Sequence, residues 1–287
     1  MEISGHDTNG DPVKERLRYA QTTGAPFAPA HDRFGIRLTE VRPGYCAGSM
    51  PSDPFLIDPA GTLEVGGLLV LADCLLGFAI GSALGPGHRI STLHIRVSAG
   101  CGLAAPGPVE GHARSLHIDE HTGLSSGVIT DSAGGEIARI SSRCAVLPRA
   151  MGQQWVDFTP EGQATDVASA LGLAVESVEP SEVTVRAVAA PSLSNNGGQV
   201  QGGALGAVAE LALARALNQA SPSPAASAAR DLEVVYLRGV PADGRTVRCR
   251  ATILHAGRRF GAARAELTDD AGRLMLTATA SRYAPAG

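Results

Sequence analysis

Asp73 and Glu210 each stand alone as the only charge in a long apolar run, VGGLLVLADCLLGFAIGSALG and GGALGAVAELALA. A carboxylate two turns into a buried helix is poorly solvated, which raises its pKa and fits it to act as a base or as a nucleophile. Gln201, Gly202 and Gly203 open the second run. The unpaired amides of a helix N-terminus can gather the negative charge that builds on a carbonyl oxygen under attack, and glycine allows a substrate to approach them closely. Gly202 and Glu210 are 210 − 202 = 8 residues apart, about 12 Å at a rise of 1.5 Å per residue. A reacting carbonyl needs both groups within roughly 3 to 3.5 Å. One helix therefore cannot supply both, and each site must combine the N-terminus of one helix with the carboxylate of another.

Two other patterns carry less. Gly123 to Gly127 spell GxSxG around Ser125, but the serine-hydrolase elbow needs a strand before it and a helix after it, and VITDSAGGEIARI reads as strand and hairpin. His117 and His121 would share a face of a strand about 13 Å apart, too far to grip one metal ion. The five cysteines are scattered without a CxxC pair, which argues against a zinc site or a disulfide framework and fits a reducing cytoplasm. With 24 Lys and Arg against 28 Asp and Glu, and 18% charged residues, no basic stripe exists for nucleic acid. The polar, acidic amino terminus does not read as a signal peptide. Val65 to Gly85 is long enough to span a bilayer, but the central Asp73 and flanks poor in Lys and Arg favour a helix enclosed in protein.

The elements that must position the two carboxylates come in two copies. FGIRLTEVRPG from Phe34 matches LGLAVESVEPS from Leu171, and the register runs without a gap through Asp58 and Asn195, Glu64 and Gln201, Gly66 and Gly203, and Asp73 and Glu210, every pair 137 apart. Farther on, TDSAGG from Thr130 answers TDDAGR from Thr268, with the spacing drifted to 138. Each copy reads as alternating β, one long apolar helix (Gly66 to Leu84, Gly202 to about Ala220), then more alternating β. A helix apolar on nearly all sides must be enclosed, and a single antiparallel sheet is the only other material in each copy. The expectation is an α+β protein in which each sheet wraps one helix and the two units pair as an intramolecular pseudo-dimer. The boundaries expected are an extension over 1–32, a first unit over 33–147, a linker over 148–166 with the single Trp155, and a second unit over 167–287.

The run NNGGQVQGGALGAVAELALA resembles the signature of hotdog-fold acyl-CoA thioesterases of the phenylacetate-degradation type: Asn, two residues, Gly, two residues, His-Gly-Gly, and a carboxylate seven residues later. The matching residues are Asn195, Gly198, Gln201, Gly202, Gly203 and Glu210, with Gln201 in place of the usual His. The resemblance covers nearly all of the second half and extends more weakly over the first. It implies tandem hotdog units that hydrolyse an acyl-CoA or related thioester without a metal or redox cofactor, coenzyme A entering only as part of the substrate. It also implies sites shared between units, with Asp73, Asn195, Gln201, Gly202 and Glu210 as catalytic candidates, Gly66 and Gly203 as substrate-binding residues, and Arg258 and Arg259 near the coenzyme's phosphates.

The two composite sites are unequal in sequence. One joins Asp73 to Asn195, Gln201 and Gly202, a single carboxylate among neutral partners. The other joins Glu210 to Asp58, Glu64 and Val65, up to three carboxyl groups with a β-branched residue at the close-approach position. Like charges oppose ionisation, so Asp73 is the expected working carboxylate. The partner expected is a small acyl thioester, with neither nucleic acid nor membrane, and with self-association of the tandem chain. A non-catalytic acyl-CoA-binding or structural protein, or a hotdog hydratase, are the alternatives.

Overall fold

The computed structural model describes residues 12–52, 55–57, 63–85, 87–100, 106–148, 158–220 and 229–283. Two short helices, α1 (Pro12–Thr23) and α2 (Pro29–Arg33), precede the repeat. The first copy then runs β1 (Arg37–Arg42), β2 (Tyr45–Met50), α3 (Val65–Gly81), β3 (His88–Ala99), β4 (Val109–Ile118), β5 (Thr122–Thr130) and β6 (Glu136–Pro148). After the short helix α4 (Val167–Ala170) the second runs β7 (Ala174–Glu179), β8 (Glu182–Val188), α5 (Gly202–Ala220), β9 (Ala229–Tyr236), β10 (Thr246–Ala256), β11 (Phe260–Asp269) and β12 (Leu274–Tyr283).

Among the described residues the strands form one twelve-stranded antiparallel sheet in the order β1-β2-β4-β5-β6-β3-β9-β12-β11-β10-β8-β7. Read from either end the order is the same once each strand is replaced by its repeat counterpart. The seam is β3 on β9, where His94 to Ala99 pair with Val235 to Arg230. The repeated hairpin turns are built alike: Asp131 accepts from the amides of Ala133 and Gly135, and Asp269 accepts from those of Ala271 and Arg273. Gly272 holds the positive φ that the second turn requires.

Every residue of α3 from Val65 to Leu76 is buried, and α5 is buried over Gly203 to Leu213. Such runs are satisfied only if the sheet covers one side and a second helix the other. The two helices meet each other, and Gly203 sets the approach: a Cβ there would lie 2.6 Å from the Val70 Cα and 2.8 Å from the Leu69 carbonyl oxygen. No described helix is long and apolar enough to cross a membrane, α3 having only 17 residues. Trp155, Cys101 and Asp58 lie outside the described residues.

Candidate active site

The crossing of α3 and α5 brings the middle of each helix to the start of the other. The Gly203 amide donates to Asp73 Oδ2 at 2.9 Å, and the Gly66 amide donates to Glu210 Oε2 at 3.2 Å. The two bonds are one contact repeated, since 66 + 137 = 203 and 73 + 137 = 210. The helices therefore run antiparallel, and each carboxylate sits at the positive end of the opposite helix dipole.

The second partner of each carboxylate differs. Thr92 Oγ1 on β3 donates to Asp73 Oδ1 at 3.0 Å. Arg230 Nη1 on β9 meets Glu210 Oε1 at 3.2 Å, in an ion pair whose side chains are 10% and 4% exposed. These positions also correspond. The register of β3 slips between Thr92 and His94, which adds one residue, so Ile95 answers Leu232 at 137 and Thr92 answers Arg230 at 138. Glu210 thus faces a guanidinium that the sequence reading did not place there, while Asp58, expected beside it, lies outside the described residues. Arg230 lies 20 residues beyond Glu210, and neither spacing nor motif pointed to it.

Burial raises the pKa of Asp73, and the bonds from Gly203 and Thr92 pull it part of the way back. Burial likewise raises Glu210, opposed first by the charge of Arg230 and then by the Gly66 amide. The two carboxylates differ more in what they face. A cavity of about 460 Å³ has Asp73 in its wall, together with Gln201, Gly202 and Tyr236, and Glu210 is not part of that wall. Gly77 and Gly81 also line it, one and two helical turns beyond Asp73 on the same face of α3. Their counterparts on α5 are Ala214 and Asn218, and the Asn218 side-chain oxygen is occupied by Arg282 Nη1 at 3.0 Å.

Gln201, Gly202, Gly203 and Asp73 are brought together. Gln201 is buried, its Nε2 reaching the Val70 carbonyl at 3.5 Å while its Oε1 has no hydrogen-bond partner among the described residues. Asn195 lines the cavity but is exposed, and its side-chain oxygen holds the loop through the amides of Gly197 and Gln199. Its neighbour Asn196 is buried, lines the same cavity and has neither side-chain amide atom paired among the described residues. Gly66 stands at the Glu210 contact and outside the cavity wall. Arg258 and Arg259 occupy the exposed turn between β10 and β11, beside Gly261, which lies against Leu217 near the far end of α5. They do not line the cavity, whereas Arg89 and Arg238 do, and neither of these has an ion-pair partner among the described residues. Ser125 is fully buried within β5 and donates to the Leu76 carbonyl. His117 and His121 face separate acidic partners, Asp119 and Glu120.

Three further residues at the cavity escaped the sequence reading. Thr92 and Tyr236 come from the strands of the seam, and His31 comes from α2. Tyr236 donates its hydroxyl to the Gly202 carbonyl at 2.9 Å and so fixes the first turn of α5. Ala99 is its counterpart in the first copy, 236 − 99 = 137. The alternating pattern of β9 places Tyr236 on the inward face with Leu232 and Val234, and that was the available signal.

The Thioesterase superfamily model matches residues 197–276. Over nearly the whole chain the fold is similar to the tesB protein of Mycobacterium avium subspecies paratuberculosis, at 16% identity and TM-score 0.57, covering 87% of this chain and 96% of that one. It is also similar to the acyl-CoA thioesterase II TesB2 of Mycobacterium marinum, at 11% identity and TM-score 0.61, covering 90% and 98%. A phenylacetic acid degradation-related protein from Ralstonia eutropha is 33% identical over 41% of this chain and 89% of its own, with TM-score 0.37. No curated protein sequence matches. Over residues 197–276 the chain belongs to the thioesterase superfamily.

Proposed function

We propose that the protein hydrolyses an acyl-CoA thioester to the free acid and coenzyme A, at one composite site made of Asp73 from the first half and Gln201, Gly202 and Gly203 from the second. The halves act as two hotdog units, 33–147 and 167–287, joined as an intramolecular pseudo-dimer. The observation that carries this reading is the Asp73 carboxylate at the start of α5, in the wall of a cavity large enough for an acyl group.

The substrate carbonyl oxygen approaches the Gly202 amide, which as the first of the helix has no helical acceptor of its own. Both Asp73 oxygens already accept a hydrogen bond, which suits a base that holds water better than a carboxylate that must move to attack. Water adds to the carbonyl carbon as Asp73 takes its proton. Collapse of the adduct breaks the carbon–sulfur bond, and the proton passes from Asp73 to the leaving sulfur. A raised pKa brings the base closer to the working pH and makes that transfer more efficient. Release of thiol from a panel of acyl-CoA thioesters tests the reading. Thiol release that is lost in Asp73→Asn supports it, and binding without turnover in the wild type overturns it.

A further inference from the structure

His31 is the cavity residue that hydrolysis does not use. It is 4% exposed and lies in the cavity wall, yet its Nδ1 finds no hydrogen-bond partner among the described residues. Around it are rings: Phe78 of α3 at 5.9 Å and Phe27 at 6.0 Å between centroids, with Phe27 and Phe78 themselves edge to face at 4.8 Å. Burial, and then the nearby charge of Arg37, take its pKa down to about 4. The imidazole is therefore neutral at physiological pH, with one nitrogen that donates and one that accepts. An orphaned polar atom in an apolar corner is costly unless something that enters the cavity meets it.

The position of His31 says where on the ligand that group must be. Phe78, its neighbour, follows Asp73 by 78 − 73 = 5 residues, about 7.5 Å along the helix. Gly77 and Gly81 leave open the helix face that runs from Asp73 in the same direction, and no Cβ obstructs Gly81, which has nothing within 4 Å. A thioester seated at Asp73 and Gly202 would direct its acyl group along this face toward the His31 corner.

We propose that the acyl group this cavity accepts carries a hydroxyl several bonds from the thioester, and that His31 recognises it. A hydroxyl both donates and accepts, so it satisfies a neutral imidazole in either tautomer. A site built to hydrogen-bond a hydroxyl discriminates strongly against the analogue without it, because the protein group is left unpaired. The inference rests on the proposed hydrolysis site only for the position of the thioester.

The test compares ω-hydroxyhexanoyl-CoA with hexanoyl-CoA, in kcat/KM and in the affinity of their non-hydrolysable thioether analogues. Wild type should favour the hydroxylated member by about tenfold or more in both. His31→Phe, which keeps a ring between Phe27 and Phe78, should lose the preference while handling the hexanoyl compound at least as well. The same comparison for phenylacetyl-CoA with and without a para hydroxyl tells a ring from a chain. Equal handling of both pairs by wild type, or a preference that survives in His31→Phe, overturns the inference. Should the variant not fold, the thioether affinities of wild type alone decide. Those affinities also separate failure of this inference from failure of the hydrolytic reading, since they need no turnover.

Discussion

The start of α5 and the start of α3 are the same structure in two copies, but Asp73 at the first lines the 460 Å³ cavity and Glu210 at the second does not. Both present a glycine amide to a buried carboxylate from the opposite helix. Around Asp73 the remaining partners are small or neutral: Thr92, Gln201, Tyr236, and the open helix face of Gly77 and Gly81. Around Glu210 the equivalent places hold Arg230, Glu64, Ala99, Ala214 and Asn218, and the guanidinium closes on the carboxylate. Under the proposed function, duplication lets one chain keep the crossing geometry of both contacts while freeing one of them from chemistry. A carboxylate neutralised by a buried arginine is a structural group, whereas one held by a hydroxyl and an amide remains available to water.

This contrast can be broken at several points. The largest effect belongs to Asp73→Asn, expected to lower kcat/KM by about a thousandfold, within the range for removal of a general base. Burial raises the Asp73 pKa, so the folded state is favoured by its protonation and loses that advantage as pH rises through the folded value. The Asn variant escapes this loss, and its Tm at neutral pH should equal or exceed that of wild type. For the same reason the acid limb of the wild-type kcat/KM profile should fall at a pH above the range of an ordinary aspartate.

Glu210→Gln reverses the pattern. Activity should stay within about threefold, while stability to urea falls by roughly 3 kcal/mol because Arg230 is left buried without its counter-charge. A loss of activity comparable to that of Asp73→Asn in a folded Glu210→Gln protein would mean that the halves are equivalent after all. Tyr236→Phe removes the hydroxyl that holds the Gly202 carbonyl. It should cost about 1 kcal/mol of stability and lower kcat by a modest factor, without moving the pH profile. The smallest effect is expected from Arg258→Ala with Arg259→Ala, which should leave KM for acyl-CoA unchanged because their turn lies outside the cavity wall.

How much of this was legible in the sequence follows from how local each feature is. The 137-residue register is a property of the chain, and together with the eight residues between Gly202 and Glu210 it set each carboxylate against the start of the opposite helix. The two long helices were likewise unmistakable, because an apolar run of that length cannot be a strand. The short strands β2 and β8 were not read: YCAGSM has no clean alternation, and EVTVRAV follows its hairpin too closely to stand out. Nor did the sequence show that α2 turns His31 into the cavity, since that depends on a packing of the first residues against α3 that no repeat encodes. Arg230 was hidden for a related reason. Its equivalence to Thr92 appears only once the one-residue slip in β3 is known.

The central claim is that one of two matched sites receives substrate. Calorimetric titration of the full chain with a non-hydrolysable acyl-CoA thioether measures it directly. One equivalent bound per chain, weakened by a bulky side chain at Gly81 and indifferent to Glu210→Gln, is the predicted result. Two equivalents of equal affinity per chain would contradict it.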